Sequence, residues 1–195
     1  MIKKKLLAWI AVGTVAGVLL GMAGLCFGMR QAPMKPGMLG KESIQYRVVN
    51  DGIDYTTVAK SKYWCVRTPD QAIHELFVAI NTKNWDRVKQ LTVGLEDFGR
   101  EEKLSDEKRR ECILAIGDAM KKGNGKLRLE YVIRQGNAWF VVLRYDVRGG
   151  CFVDVIPLSL ARKRCSFYAN LGDLDNRQCP FGQQLRDKKE LAKLK

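Results

Sequence analysis

Three lysines, Lys3, Lys4 and Lys5, lead into an apolar run from Leu6 to Met29 that carries no charge before Arg30. At the α-helical rise these roughly 24 residues would be about 36 Å long, enough to cross a bilayer core of about 30 Å with some tilt. The run constrains everything downstream, because it predicts a single-pass chain held in the lipid bilayer through residues 6–29. The alternative is a cleaved signal: Leu6 to Leu20 would serve as its apolar region and Gly21-Met22-Ala23 offers small residues for cleavage, which would release a secreted binding protein. Ala23-Gly24-Leu25-Cys26 resembles a lipoprotein signal only loosely, since Leu25 is large. Gly13, Gly17 and Gly21 recur at four-residue spacing, a small-residue face that leaves a homodimer open.

Positive charges flank the run on both sides, with Arg30, Lys35 and Lys41 after it. The very short lysine-rich tail nevertheless favours a cytoplasmic N-terminus and an extracytoplasmic domain. Pro33, Pro36, Gly37 and Gly40 read as a linker. The expected organisation is an anchor or signal over 1–29, a linker and leading segment over 30–65, one domain over 66–171 and a basic tail over 172–195. In that tail Leu185, Leu191 and Leu194 are spaced for a short amphipathic helix, expected to lie frayed on the surface.

Six cysteines divide between Cys26 in the run and Cys65, Cys112, Cys151, Cys165 and Cys179 beyond it. In an oxidising compartment these five would give up to two disulfides and one free thiol, with the pairing open and Cys179 the favoured tie for the C-terminal segment. There is no C-x-x-C, and His74 is the single histidine, so neither a metal site nor a cofactor is expected.

Beyond the linker the period is helical. Thr68-Pro69-Asp70 supplies a hydroxyl cap, a proline at the first position and an acid in the first turn. Ala72, Ile73, Leu76, Phe77 and Ile80 then make one buried face, with His74 at its edge as a boundary residue. After the break at Asn81 to Asn84, Trp85, Val88 and Leu91 mark a second short helix. A third runs from the Ser105 cap to Lys121 and Lys122 with Ile113, Ile116 and Met120 inward, stopped by Gly123-Asn124-Gly125.

The period then changes to two. Leu127, Leu129, Tyr131 and Ile133 alternate with polar or smaller neighbours, as do Trp139, Val141, Leu143, Tyr145 and Val147. A three-residue loop, Gln135-Gly136-Asn137, would pair Tyr131 with Val141 and Leu129 with Leu143 and put both apolar sets on one face, whereas a two-residue loop would not. A tight turn at Gly149-Gly150 would add Phe152, Asp154, Ile156 and Leu158 to that face, and a last strand is expected near Ser166 to Asn170. Helices followed by an antiparallel meander predict an α+β layer in which helices pack on a curved antiparallel sheet.

The stretch Thr68-Pro69-x-x-Ala72-x-x-x-x-Phe77-x-Ala79-Ile80-x-x-x-Asn84-Trp85-Asp86-x-Val88-x-x-Leu91-Thr92 resembles the opening of nuclear transport factor 2-like domains, the cystatin-like cones, in their small extracytoplasmic form. The resemblance covers roughly residues 66 to 170. The family often has Gly-Asp where this chain has Lys83-Asn84, and its Gly-x-Trp in the last strand is replaced by Arg162-Lys163-Arg164. It implies fold more than function.

That fold would enclose a candidate cavity of Asp154, Tyr145, Tyr131 and Trp139, and enzymes of the ketosteroid isomerase-like and polyketide cyclase-like type use acids and tyrosines in such a place. No motif brings a base and an oxyanion site together, so enzyme activity stays the alternative. The outward positions carry a candidate basic face, Arg128, Arg134, Arg144 and Arg148, and the formal net charge is +13. An acidic envelope partner would be attracted to it in a salt-dependent way, and a small apolar ligand to the cavity. Nucleic acid is not expected, for want of a basic recognition helix or an exposed aromatic array. The sequence thus predicts a membrane-anchored extracytoplasmic binding or assembly domain without assigned catalysis.

Overall fold

A computed structural model describes residues 32–194 apart from 101, 148–152, 164–165 and 172–184. Its elements follow the chain as strands β1 (Lys35–Leu39) and β2 (Glu42–Val48), helices α1 (Pro69–Asn81) and α2 (Trp85–Leu91), and strand β3 (Thr92–Val93). Helix α3 (Asp106–Lys122), strands β4 (Gly125–Gln135), β5 (Ala138–Val147), β6 (Val153–Lys163) and β7 (Ser166–Asn170) and helix α4 (Lys188–Ala192) complete it. The helix starts are local chemistry. The side chains of Thr68, Asn84 and Ser105 accept from the backbone N–H of Gln71, Arg87 and Lys108, satisfying donors that the first turn would leave orphaned.

The described strands form one curved, unclosed sheet in the order β1-β2-β4-β5-β6-β7-β3, antiparallel except where β3 returns beside β7. At its centre the β4–β5 hairpin departs from the expected geometry. Gln135 pairs with Ala138, so the loop has two residues, Gly136 and Asn137, with Gly136 at φ +57 as the first position of a type II′ turn demands. A two-residue loop alone would send one apolar set to the wrong face. A β-bulge between Leu129 and Tyr131 absorbs the extra residue, so Leu129 still pairs with Leu143 while Tyr131 pairs with Val142 instead of Val141.

The bulge splits the β4 apolar row between two cores. Leu127, Leu129 and Val132 face α1, α2 and α3 with Val141 and Leu143; Tyr131 and Ile133 face the other side with Val142 and Phe140. That second face is covered by the C-terminal segment. Leu185, Leu191 and Leu194 are buried against it together with Leu39 and Ile44, so the C-terminal helix is a structural cover and not a frayed surface element. The presumed linker is also structural: β1 and β2 form an edge hairpin, with Pro36 on the outer strand, where a missing N–H is harmless. The Tyr46 ring lies where a side chain on Gly37 would be.

Among the described residues no helix is long and apolar enough to cross a membrane, and the predicted span lies outside them.

Candidate functional site

α1 is amphipathic in sequence yet buried from Ala72 to Ile80. Its apolar side meets the sheet, as the spacing predicts. Its polar side is covered by residues 49–67, a long strap between β2 and α1. The strap leaves the sheet at Val49, whose N–H donates to Glu130 O, and reaches the start of β4, where Tyr55 N–H donates to Leu127 O at 2.8 Å. It then runs back along α1. The Asn81 amide donates to the carbonyls of Tyr55 and Val58 at the helix C-terminus. Further along, Glu75 accepts from the Ser61 hydroxyl at 2.7 Å and from the N–H groups of Lys62 and Tyr63 at 2.9 and 3.0 Å. Near the helix N-terminus Phe167 N–H donates to Val66 O and Arg67 N–H donates to Gln71 Oε1.

This geometry places a carboxylate in the interior. Glu75 is 1 % exposed. Burial pushes its pKa up, but the Ser61, Lys62 and Tyr63 hydrogen bonds outweigh that and hold it below the usual carboxylate range. Its neighbour His74 is also 1 % exposed, a core residue and not a boundary one. The ring is enclosed edge-on by Tyr63, with centroids 5.3 Å apart, and by Tyr55 at 6.4 Å. Neither imidazole nitrogen has a hydrogen-bond partner, and Nδ1 is 3.7 Å from Glu75 Oε1, too long for one. Burial accordingly lowers its pKa, with Glu75 opposing. Burial and the nearby acids raise the phenols of Tyr55 and Tyr63. Tyr55 also donates to Asp51 at 2.8 Å, and Arg47 on β2 closes the N-terminal end of α1 with Nη2 2.7 Å from both oxygens of Asp70.

Between the Glu75 and Phe167 attachments the strap turns outward. Trp64 there is 100 % exposed, and Cys65 beside it is an exposed free thiol. Lys60, Lys62 and Arg67 flank the tip, with no acid between Tyr55 and Pro69.

The residues singled out by sequence are distributed differently. Tyr145 faces α3: its hydroxyl donates to Met120 O at 2.8 Å and its ring occupies the space that side chains on Gly123 or Gly125 would need. Trp139 lies at the edge of the same sheet face, edge-on to Phe167 at 5.3 Å and under the Arg134 guanidinium at 5.4 Å. Tyr131 is on the opposite face, its hydroxyl donating to Leu191 O at 3.3 Å, so it does not converge with the other two. Asp154 pairs with Tyr145 in the β5–β6 register; its side chain lies outside the described residues. Of the basic positions, Arg144 binds Asp146 at 2.8 Å and Glu130 at 3.1 Å, and both carboxylates raise its pKa, Asp146 foremost. Arg128 is exposed and pairs in register with Arg144, Arg134 is turned to Trp139 by the bulge, and Arg148 lies outside the described residues. Cys112 is a second exposed free thiol, and Cys151, Cys165 and Cys179 fall outside the described residues.

Helical periodicity could not find the strap or its anchors, because Gln71, His74, Glu75 and Asn81 occupy the polar side of α1, where solvent is the default neighbour. The available signal was compositional: a stretch of about 20 residues without regular structure that nonetheless carries two tyrosines and a tryptophan, more aromatic than a solvated connection needs. No family model, no curated protein and no solved structure matches the chain.

Proposed function

We propose that this chain is a membrane-anchored extracytoplasmic domain of the nuclear transport factor 2-like type that acts by binding through its surface. The fold reading is supported by element order. Two helices, a short strand, a third helix and an antiparallel meander follow one another, and the short strand returns beside the last. The anchor reading is supported by the charge-free run after Lys3, Lys4 and Lys5.

One contrast carries the choice of binding over catalysis. The polar groups best suited to chemistry are engaged in holding the fold, Glu75 by the strap and the Tyr145 hydroxyl by α3, while the most exposed large apolar side chain sits on a loop fixed from both sides. An exposed tryptophan on a pre-ordered loop is the arrangement of a binding anchor.

The test uses Cys65 and Cys112, the two exposed thiols. In intact cells producing the full chain, a membrane-impermeant maleimide is expected to add mass at both positions, and the chain is expected to stay in the membrane pellet after alkaline extraction. Labelling only after lysis would overturn the extracytoplasmic placement, and release by alkali would overturn the anchor.

A further inference from the structure

We infer that the strap tip, Tyr63 to Cys65, docks on an anionic lipid surface with Trp64 entering the interfacial layer, an inference that rests on the anchored reading above. Tryptophan carries a large apolar ring and one N–H donor, and it favours the zone where hydrocarbon meets headgroups. Trp64 is the only large aromatic side chain fully exposed among the described residues.

The tip is built to present it. On one side Glu75 holds Ser61, Lys62 and Tyr63, and the Tyr63 ring is turned inward against His74. On the other, Phe167 N–H holds Val66 and Gln71 holds Arg67. Trp64 therefore stands on a short bridge between two attachments, and its ordering cost is met in folding instead of on docking.

Charge decides the occupant. Lys60 and Lys62 precede the tryptophan along the chain, with no acid between Tyr55 and Pro69, in a chain of net charge +13, while Asp51, Asp70 and Glu75 act on the Tyr63 ring that is turned inward. Lysines beside an interfacial aromatic match anionic headgroups, with their ammonium ends at phosphate level while the ring inserts. One tryptophan and two lysines bind lipid weakly in free solution. Here only five residues, 30–34, join the apolar run to β1. Their full extension is at most about 18 Å, so a span in the bilayer keeps lipid at high effective concentration and weak contacts suffice.

The experiment places the full chain, with Trp9→Phe, in vesicles of mixed phosphatidylcholine and phosphatidylglycerol containing a brominated lipid. Tryptophan emission is compared with and without Trp64→Phe, which isolates Trp64 from Trp85 and Trp139. Bromolipid quenching of the Trp64 component is expected, with loss on Lys60→Glu plus Lys62→Glu and in vesicles of phosphatidylcholine alone. Absence of that component from the quenching, in chain that alkaline extraction leaves in the vesicles, overturns the docking and leaves the anchor standing. Quenching that persists while alkali strips the chain overturns the anchor and keeps the docking. Quenching indifferent to lipid charge and to both lysine reversals overturns the anionic assignment. A Trp64 emission shift that follows protein concentration without lipid assigns the tip to a second copy and overturns the lipid.

Discussion

His74 and Glu75 are adjacent on α1 and both interior, yet the protein treats them oppositely. Glu75 has three donors and keeps its charge, while His74 has no partner at either nitrogen and is held neutral by burial. The consequence is a sign for acid stability. The folded pKa of His74 lies below the ordinary 6.5, so the unfolded chain takes up a proton that the folded one refuses, and stability falls as pH drops below about 6.5. Glu75, held below the ordinary 4.5, contributes stability above that pH and loses it as pH falls further. The thermal midpoint of the full chain in detergent, followed by circular dichroism, is therefore expected to decline between pH 7 and 5. His74→Phe, which keeps a ring between Tyr55 and Tyr63 but cannot titrate, is expected to flatten that decline; an unchanged slope would place its origin elsewhere. Lys83 is another residue whose neighbourhood matters more than its type. It sits at φ +59, in the left-handed region that favours glycine, and its ammonium reaches Leu114 O and Asp118 on α3. A side chain in a left-handed position costs on the order of 1 kcal/mol, which those bonds across the helix pair offset.

Among the elements, β4 shows how one inserted residue redistributes a core. Alternation alone predicts a single apolar row from Leu127 to Ile133, and the half next to α3 obeys it in register with β5. Past the bulge the row changes face, and Tyr131 and Ile133 become the floor of a second core that exists only because the C-terminal segment lies across it. Alternation marks a strand's sides relative to each other, but no local signal marked Glu130 as the place where they exchange. Leu191 is the helix side of this second core, and Leu191→Ala is expected to cost about 2–4 kcal/mol, the range for a buried leucine whose site cannot fully collapse. Urea unfolding would measure it; a cost below about 1 kcal/mol would return α4 to the surface role that its charged sequence implies.

On the scale of the whole molecule, the strap completes the enclosure. It joins β4 at Leu127, α1 at Asn81 and Glu75, and β7 at Phe167, so a segment without regular structure ties the centre of the sheet to its far side. Glu75→Ala would leave three donors without their acceptor and is expected to destabilise the fold by about 2–4 kcal/mol. Limited proteolysis should then cut the strap near Lys60 and Lys62 before any other site. Equal resistance in the variant would mean that Tyr55, Asn81 and Phe167 hold the strap without Glu75. The helix starts at Thr68, Asn84 and Ser105, the stop at Gly123, the two long alternating strands and the charge-free run at the N-terminus were all legible from sequence, since each depends on groups within a few residues of one another. The tertiary structure alone decided that His74 is interior, that Tyr131 parts from Tyr145, that the C-terminal leucines roof a second core and that Trp64 is held outward. Each of those depends on a partner tens of residues away, where chain spacing carries no information about which polar group finds a donor and which is left to water.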